Sequence, residues 1–399
     1  IEIRMNFSSN IAKKFMFSSK ETGPTRITGI IAVVGIAVGT MAMILSVSVL
    51  NGFESKIIDR IIGFEGDVKL RGNFKIYDDI GYIDNINSIY EHVAYKERVG
   101  LILTNDKSTR MIKFKSIDLK KIDKFYDLNI ESIGKYDQPM IVLGKTTASR
   151  MNLRVGDEVG IMSPLDQNSI LGMPRQIKVI VGAIFNVQVL DFNDRIAFID
   201  QETGNNLFLR KKFYDGIDIR LQDGHSLNKL QSDILAYSPN SKLETWKELH
   251  SNLFSAMKLE RLGSLVVLSL IVLVGCFNLS TTLMLTTIQR IKQYGILSTL
   301  GATKKTIRNI IIKQGFYTGS IGILIGLLIG LAFVATQNVF GIIKLPSDIY
   351  FTSNLPMLIY FKDILLILLI SFSMVVTSSM LAAKRTNLAT IKNSLVLEK

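Results

Sequence analysis

The sequence predicts an α-helical membrane protein with four transmembrane helices and an α+β extracytoplasmic domain between the first and second helices. Four stretches contain no charged residue, and each is long enough to cross a hydrocarbon core, which requires about 20 helical residues. These stretches are 27–53, 262–289, 314–343 and 364–383. A positive mean hydropathy of +0.29 together with 20% charged residues indicates apolar spans joined to a water-facing domain.

The distribution of basic residues predicts the orientation of the spans. The net charge is +13, and segment 290–313 contains Lys and Arg but no acidic residue. Segments 1–26 and 384–399 are also basic, whereas 54–261 is nearly balanced. Lys and Arg are retained in the cytoplasm, so we expect both termini and 290–313 to be cytoplasmic. Segments 54–261 and 344–363 are then expected outside the cytoplasm.

The N-terminal segment 1–26 has the pattern of a basic amphipathic helix. Phe7, Ile11 and Phe15 recur every fourth residue, with lysines off that face, which favours a helix in the membrane interface. A soluble leader is the alternative. The apolar stretch 27–53 is too long and too far along the chain for a cleavable signal, so we expect an uncleaved anchor.

The segment 54–261 alternates short strand and helix patterns, which predicts the α+β fold. The predicted strands are 67–70, 99–104, 111–115, 158–162, 177–184, 195–199 and 213–220, and the predicted helices are 145–151 and 226–237. We expect the first spanning helix to continue past its span, and one unbroken helix to run from Trp246 into the second span. The only cysteine, Cys276, lies in that second span.

Small residues at four-residue spacing predict close packing between spans. They are Gly35 and Gly39 in the first span and Gly322, Gly326 and Gly330 in the third. Asn278 is the most polar residue of the second span; it can line a cavity or make an interhelical hydrogen bond, and we expect the hydrogen bond. The spans contain no ionisable residue of the kind that proton or ion coupling requires. Energy for transport would therefore come from another subunit.

No residue pattern supports catalysis, cofactor binding or metal binding. Gly144-Lys145-Thr146 resembles the end of a phosphate-binding loop, but Pro139 stands where that loop needs its first glycine. The histidines are scattered and lack cysteine partners. They are His92, His225 and His250. There is no basic stripe with interleaved aromatic residues, so nucleic-acid binding is not expected.

Residues 163–176 predict an irregular hairpin tip rather than sheet interior, because Pro164 and Pro174 bound the segment. Its apolar residues indicate a docking surface. A loop folded back on its own domain is the alternative.

Segment 290–313 predicts a short helix up to Leu300, a turn at Gly301-Ala302 and a second helix that enters the third span. A compact cytoplasmic helix is a structure that a subunit supplying energy for transport can bind. A helix lying on the membrane surface is the alternative.

The motif Ile296-Leu-Ser-Thr-Leu-Gly-Ala-Thr303 resembles the cytoplasmic coupling motif of the FtsX-like/MacB-like ABC transporter permeases. Within that superfamily the chain is most similar to the lipoprotein-releasing permeases of the LolC/LolE family. The other similar motifs are Gly35-Ile-Ala-Val-Gly39, Ser46-Val-Ser-Val-Leu-Asn-Gly-Phe-Glu54, Met140-Ile-Val-Leu-Gly144 with Gly156-Asp157, Arg195-Ile-Ala-Phe-Ile-Asp200, Asn252-Leu-Phe-Ser-Ala-Met-Lys-Leu-Glu260 and Phe277-Asn278.

This resemblance implies a non-catalytic permease subunit of the bacterial inner membrane, paired with a second copy or a paralogue. It implies two cytoplasmic ATPase subunits that hold ATP and Mg, a lipidated protein cargo and a periplasmic lipoprotein carrier. An FtsX-like transducer that controls an extracytoplasmic cell-wall hydrolase is the alternative, and export of small hydrophobic compounds is a third. The long segment 54–261 favours lipoprotein release over the transducer.

The resemblance also implies three groups of site residues. The ATPase-coupling residues would be Gln289, Gln293, Ile296, Leu297, Leu300, Gly301, Ala302 and Thr303. The carrier-docking hairpin would present Ser163, Pro164, Leu165, Ile170, Leu171, Met173, Pro174 and Arg175. A cargo cavity between the first and second spans would be bordered by Asn51, Gly52, Phe53, Met257, Leu262 and Asn278. The chain departs from the family at Gln289 and Gln293, where acidic residues are usual, and lacks the family's proline around 380–386.

Overall fold

The structure is a computed structural model that describes residues 10–12, 14, 23–75, 80–84, 86–104, 108–130, 134, 138–167, 174–187, 190–208, 213–222, 227–237, 242–346 and 352–385. The chain forms two compact units. The helical unit comprises Ile1–Glu54, Ser255–Ser347 and Thr352–Lys399, and the α+β unit comprises Ser55–Phe254 and Asp348–Phe351.

The described helices are numbered in chain order. They are α1 (Gly23–Glu65), α2 (Ile80–Ile83), α3 (Ile122–Phe125), α4 (Lys145–Arg150), α5 (Leu190–Arg195), α6 (Gln201–Leu207), α7 (Leu227–Tyr237), α8 (Trp246–Leu249), α9 (Ser251–Gln289), α10 (Ile291–Thr299), α11 (Lys304–Phe340) and α12 (Phe361–Arg385). The described strands are β1 (Val68–Lys75), β2 (Ile89–Leu103), β3 (Thr109–Ile117), β4 (Met140–Gly144), β5 (Glu158–Gln167), β6 (Pro174–Phe185), β7 (Ile196–Asp200), β8 (Phe213–Leu221) and β9 (Lys242–Thr245).

Among the described residues, the four helices α1, α9, α11 and α12 are long and apolar enough to cross a membrane, and the chain is a multi-pass membrane protein. The predicted spans fall on these helices, with one difference at the end of α11. That helix ends at Phe340, before the predicted limit at 343. Gly341 follows in the left-handed conformation, with φ of 57°. A residue in that conformation terminates a helix by bonding back to an earlier carbonyl, here that of Gln337.

The prediction of one unbroken helix from Trp246 into the second span is wrong. The chain instead forms two helices, α8 and α9, with His250 between them. A capping box of Thr245 and Glu248 starts α8. His250 then adopts φ of −109° and ψ of 30°, which ends α8 after one turn. The expected extension of the first helix is confirmed, since α1 continues to Glu65.

The α+β unit is built on nine paired strands in the order β3-β7-β4-β6-β5-β2-β8-β1-β9, and β3 also pairs with β2. The additional pairing closes six strands into a ring: β2, β3, β7, β4, β6 and β5. Strand β2 belongs to both parts of the sheet. Its first half pairs with β8, and its second half pairs with β3 and β5.

Alternating side chains of the ring strands pack into two separate hydrophobic cores, as the period of two in a strand requires. In β4, Ile141 and Leu143 pack in one core while Val142 packs in the other. In β7, Ile199 and Phe198 divide in the same way. A third core lies beside β1 and β8 and contains Val68, Leu70, Phe74, Ile83, Tyr214, Ile217, Ile219, Leu230 and Ile234.

The helices of the helical unit pack through the predicted glycines. A Cβ added at Gly35 would lie 3.2 Å from the Cα of Gly275, so α1 and α9 approach backbone to backbone. On α11, a Cβ at Gly326 would overlap the carbonyl of Ala37 in α1. Lipid tails provide no hydrophobic drive for helix association, so such close approach is a principal source of packing energy in a membrane.

Only part of the predicted N-terminal amphipathic helix is described. Ala12 is fully buried in the core of the helical unit, and Ile11 packs against that core. Phe7 and Phe15, which carry the predicted apolar face, lie outside the described residues.

Candidate functional site

The predicted coupling segment forms a short helix that exposes two aliphatic side chains. Helix α10 follows α9 directly, and the turn after it contains Gly301 with φ of 92°, a conformation that favours glycine. Ile296 and Leu300 are 56% and 79% exposed and lie one helical turn apart. Thr303 then caps α11 by accepting a hydrogen bond from the amide of Thr306.

The remaining coupling residues divide between exposed and packed positions. Gln289, the last residue of α9, and Gln293 of α10 are exposed, whereas Leu297 packs against the core of the helical unit. Tyr294 is fully buried and anchors α10 to that core. Ala302 is half-buried in the turn. The exposed residues of α10 therefore combine Lys292 with amide and aliphatic side chains and include no acidic residue.

The strand pair that carries the predicted hairpin is longer than expected. Ser163, Pro164 and Leu165 belong to β5, and Pro174 and Arg175 belong to β6, so they are not part of an irregular tip. The pairing shifts register between Met162 and Gln167. Proline cannot donate to a ladder, and an irregularity of this kind accommodates it inside a strand.

The structure describes only the base of the hairpin. Ile170, Leu171 and Met173, together with the side chain of Leu165, lie outside the described residues. At the base of the hairpin, Arg175 donates a hydrogen bond of 2.9 Å to the carbonyl of Asn206.

The predicted cavity residues do not come together in the helical unit. A groove of about 460 Å³ lies between α1 and α9, and of the predicted residues Asn278 lines it. Its exposed side chain faces this otherwise apolar groove, the alternative that the sequence left open beside an interhelical hydrogen bond. The hydroxyl groups of Thr281 and Thr282 bond backbone carbonyls of their own helix instead. The groove walls are Ile30, Ile31, Val34, Gly35, Val38, Ile271, Val274, Gly275 and Asn278.

The other predicted cavity residues lie nearer the opposite end of the spans. Asn51 and Gly52 are buried, and a Cβ at Gly52 would overlap the carbonyl of Pro356. Within this chain they face the connection between α11 and α12. Met257 is half-buried, and Leu262 is 61% exposed on α9. Phe53 is half-buried.

A cluster that sequence reasoning missed joins three spanning helices at this end. The buried carboxylate of Asp363 on α12 accepts a hydrogen bond of 2.6 Å from the amide of Asn51 on α1. The guanidinium of Arg261 on α9 donates to the other oxygen of Asp363. Nearby, Ser46 and Ser264 form a hydroxyl contact of 2.7 Å between α1 and α9. Asp363 and Arg261 directly flank predicted spans, which is the signal that could have identified them.

A second cluster is buried in the α+β unit. Lys115 and Tyr126 both donate to the same oxygen of Asp218, Tyr126 at 2.8 Å, and Lys69 lies 3.9 Å from the other oxygen. Lys69 also approaches Glu65 at 3.5 Å. These side chains are almost fully buried, which is unusual for lysine.

The cluster continues to the interruption between helices α8 and α9, where His250 Nε2 lies 2.7 Å from Glu65 Oε2. Glu65 is the last residue of α1. Burial lowers the pKa of Lys115. The pKa of Lys69 is also reduced by burial, but the carboxylates of Asp218 and Glu65 outweigh this effect and raise it overall. The cluster therefore links the last residue of α1 to the central strands through buried charges, and the Glu65–His250 hydrogen bond extends it to the residue before α9.

Comparisons with known proteins identify two family models along the chain. The MacB-like periplasmic core domain matches residues 30–237, and the FtsX-like permease C-terminal model matches residues 265–387. The lipoprotein-releasing system transmembrane protein LolC of Neisseria meningitidis is 23% identical over 94% of this chain and 96% of its own length. LolE of Haemophilus influenzae is 22% identical over 88% of this chain and 90% of its own length.

Among solved structures, the periplasmic region of MacB from Actinobacillus actinomycetemcomitans is similar to the chain at 10% identity. The match covers 50% of this chain and 97% of that region, with a TM-score of 0.35. The family of this chain is assigned from the family models and not from this structural similarity.

Proposed function

This chain belongs to the family of proteins with a MacB-like periplasmic core domain, and we propose that it is the permease subunit of a transporter that releases lipoproteins from the inner membrane. Relatives named for lipoprotein release cover more than nine-tenths of the chain from end to end, and this observation carries the proposal. ATP hydrolysis then belongs to a separate cytoplasmic ATPase, and a periplasmic carrier receives the cargo.

The composition of the helical unit supports an external energy source. No Asp, Glu, Lys, Arg or His lies within the four charge-free stretches, and Asp363 and Arg261, which flank two of them, are paired with each other. Helix α10 provides a surface for a partner instead. Exposed aliphatic side chains such as Ile296 and Leu300 outside an apolar span favour a protein contact.

The orientation of the spanning helices follows from the position of helix α10. Helix α10 lies in the basic segment 290–313, and we place this segment and both termini in the cytoplasm by the positive-inside rule. The α+β unit is then periplasmic, where it would handle cargo and carrier. Its hairpin of β5 and β6 is the proposed carrier contact, and a second permease copy or a paralogue completes the membrane portion.

Depletion of the protein in its bacterium tests the function. We expect outer-membrane lipoproteins to accumulate in the inner membrane, measured by fractionation and immunoblotting. Spheroplasts from depleted cells should also fail to release lipoproteins to added carrier. Normal release from depleted spheroplasts would exclude the proposal. If lipoproteins are released normally but septal cell-wall hydrolysis fails, the transducer alternative is correct instead.

A charge on the exposed face of α10 tests the ATPase contact. We expect Leu300→Glu to reduce release at least about tenfold while ATP hydrolysis continues, because one buried unpaired charge in an interface costs several kcal/mol. The matched control is Asn309→Glu, an exposed position on α11 that lies outside the proposed contact. Equal release from the two variants, measured in the complex with its ATPase, would contradict the assignment.

A further inference from the structure

The Asp363 cluster is the most strongly polar contact described between the spanning helices. Asp363 is 5% exposed and Asn51 is 2% exposed, so both are withdrawn from water. A buried carboxylate is costly unless charged or hydrogen-bonding partners surround it. Asn51 and Arg261 are those partners, and they come from two other helices. Asp363 therefore connects α1, α9 and α12.

The contacts between α1 and α9 differ along their length. Toward the start of α1, Gly35 and Gly275 bring the backbones together, and a Cβ at Gly39 would meet Val272 within 2.7 Å. Such contacts cannot be exchanged for water without opening a void. Toward Asn51, by contrast, the hydroxyl pair of Ser46 and Ser264 and the Asp363 cluster lie beside apolar core residues such as Val47 and Leu265. Polar groups at that end can exchange these partners for water.

Two features make the cluster easier to release than a fully satisfied one. The side chain of Arg261 is 32% exposed, so its guanidinium can reach solvent when it leaves Asp363. The Oδ1 atom of Asn51 is buried and has no hydrogen-bond partner among the described residues. An unsatisfied buried acceptor destabilises the arrangement that holds it. The arrangement in which Arg261 is bound to Asp363 is therefore held by specific contacts but is not as stable as a fully hydrogen-bonded cluster would be.

We propose that Arg261 and Asp363 form a latch that fixes the periplasmic end of α9 to α12 and, through Asn51, to α1. Release of Arg261 lets this end of α9 move away from α1, while the glycine contacts near Gly35 act as the pivot. The opening creates a lateral path from the membrane for a lipid-anchored chain. The identity of that cargo rests on the proposed function, but the latch itself does not require it.

The test measures the distance between α9 and α12 in the full-length chain in lipid nanodiscs. Spin labels are attached at Leu259→Cys and Phe361→Cys, which are 72% and 78% exposed, in a Cys276→Ala background. The parent should give one narrow distance population. Arg261→Gln and Asp363→Asn should each add a longer population, shifted by more than the roughly 1–2 Å of a small helix adjustment.

Two further variants make the result specific. Lys258→Gln removes a positive charge one turn away on the exposed side of α9 and should leave the distribution unchanged. The exchange Arg261→Asp with Asp363→Arg should restore the narrow population, because the Oδ1 of Asn51 can accept from the new arginine. If Asp363→Asn does not elute as the parent does in size-exclusion chromatography, Arg261→Gln decides alone, since it leaves the bond between Asn51 and Asp363 in place.

An unchanged distribution in Arg261→Gln, or an equal change in Lys258→Gln, overturns the latch. Failure of the charge exchange to restore the narrow population also counts against it. These outcomes do not depend on transport. If the latch variants open while spheroplasts release lipoproteins without this protein, the latch stands and the proposed function falls.

Discussion

In the α+β unit, charged side chains lie at the centre of the packing. In the helical unit, glycines lie at the centre, and the carboxylate of Asp363 lies toward the ends of the helices. Lys115 and Asp218 are 2% and 0% exposed among the sheet strands. Gly326 occupies the equivalent central place between α11 and α1. The interiors of the two units are thus built from different groups: paired charges in the α+β unit and closely packed glycines in the helical unit.

The difference follows from the solvent around each unit. Water drives apolar burial in the α+β unit, and its three hydrophobic cores provide enough stabilisation to enclose a charged cluster. Lipid provides no such drive, so spanning helices depend on close backbone approach. A charge in their centre would have no compensation. We expect substitutions of charge to be most damaging in the α+β unit and substitutions of size to be most damaging in the helical unit.

The largest expected effect is that of Asp218→Asn. The change leaves Lys115 buried without a counter-charge, and breaking a buried pair in this way costs about 3–5 kcal/mol. Trp246 is the only tryptophan and lies in the α+β unit, so its fluorescence during urea unfolding of the full-length chain reports the loss. Glu158→Gln, in an exposed pair with Lys178, is the control and should not change the transition.

The double variant Asp218→Asn with Lys115→Met sharpens this prediction. Removing the orphaned ammonium should recover most of the loss, because the destabilisation comes from the unpaired charge and not from the missing contact. A double variant as unstable as Asp218→Asn alone would contradict that explanation.

Gly326→Val should have the next largest effect, and it should act on the helical unit. The new side chain would overlap the carbonyl of Ala37, and overpacking of this kind typically costs about 1–3 kcal/mol. The buried Cys276 of α9 reports the change, since its rate of labelling by a small maleimide should rise about tenfold or more. At Gly263 an added Cβ meets nothing within 4 Å, so Gly263→Val is the matched control.

Cysteine labelling and urea unfolding together distinguish effects on the helical unit from effects on the α+β unit. Asp218→Asn should leave the labelling rate of Cys276 unchanged, and Gly326→Val should leave the urea transition of Trp246 unchanged. A variant that moves both readings equally would show that the contrast between the units is wrong.

The smallest expected effect is a loss of stability of the α+β unit in alkaline solution. Burial raises the pKa of Tyr126 well above its ordinary value, and the carboxylate of Asp218 raises it further. The unfolded tyrosine loses its proton near pH 10 while the folded one keeps it. The stabilisation is therefore complete below pH 10 and declines as the pH rises further.

Urea transitions of Trp246 between pH 8 and 11 test this decline, and Tyr126→Phe should make it shallower. Tyr95 is also buried with a raised pKa, so some of the decline should persist in that variant. An identical decline in parent and variant would exclude Tyr126 as a source.

Part of the candidate site was predictable from local sequence. The short helix with Ile296 and Leu300, and the turn at Gly301, follow from apolar spacing and a glycine within one segment. The cavity assignment was less successful, because Asn51 and Asn278 lie on different parts of the helical unit. Helix length and polarity could not indicate which neighbour each one faces.

The sequence by itself determined which segments cross the membrane, where the α+β unit lies in the chain and which glycines permit close packing. These properties depend on length, charge and spacing within a single segment. Only the tertiary structure decided the partners of the buried charges. Asn51 and Asp363 are 312 positions apart, and Lys115 and Asp218 are 103 apart. A buried charge is stabilised by whatever the fold places within about 3 Å of it, and distance along the chain carries no information about that.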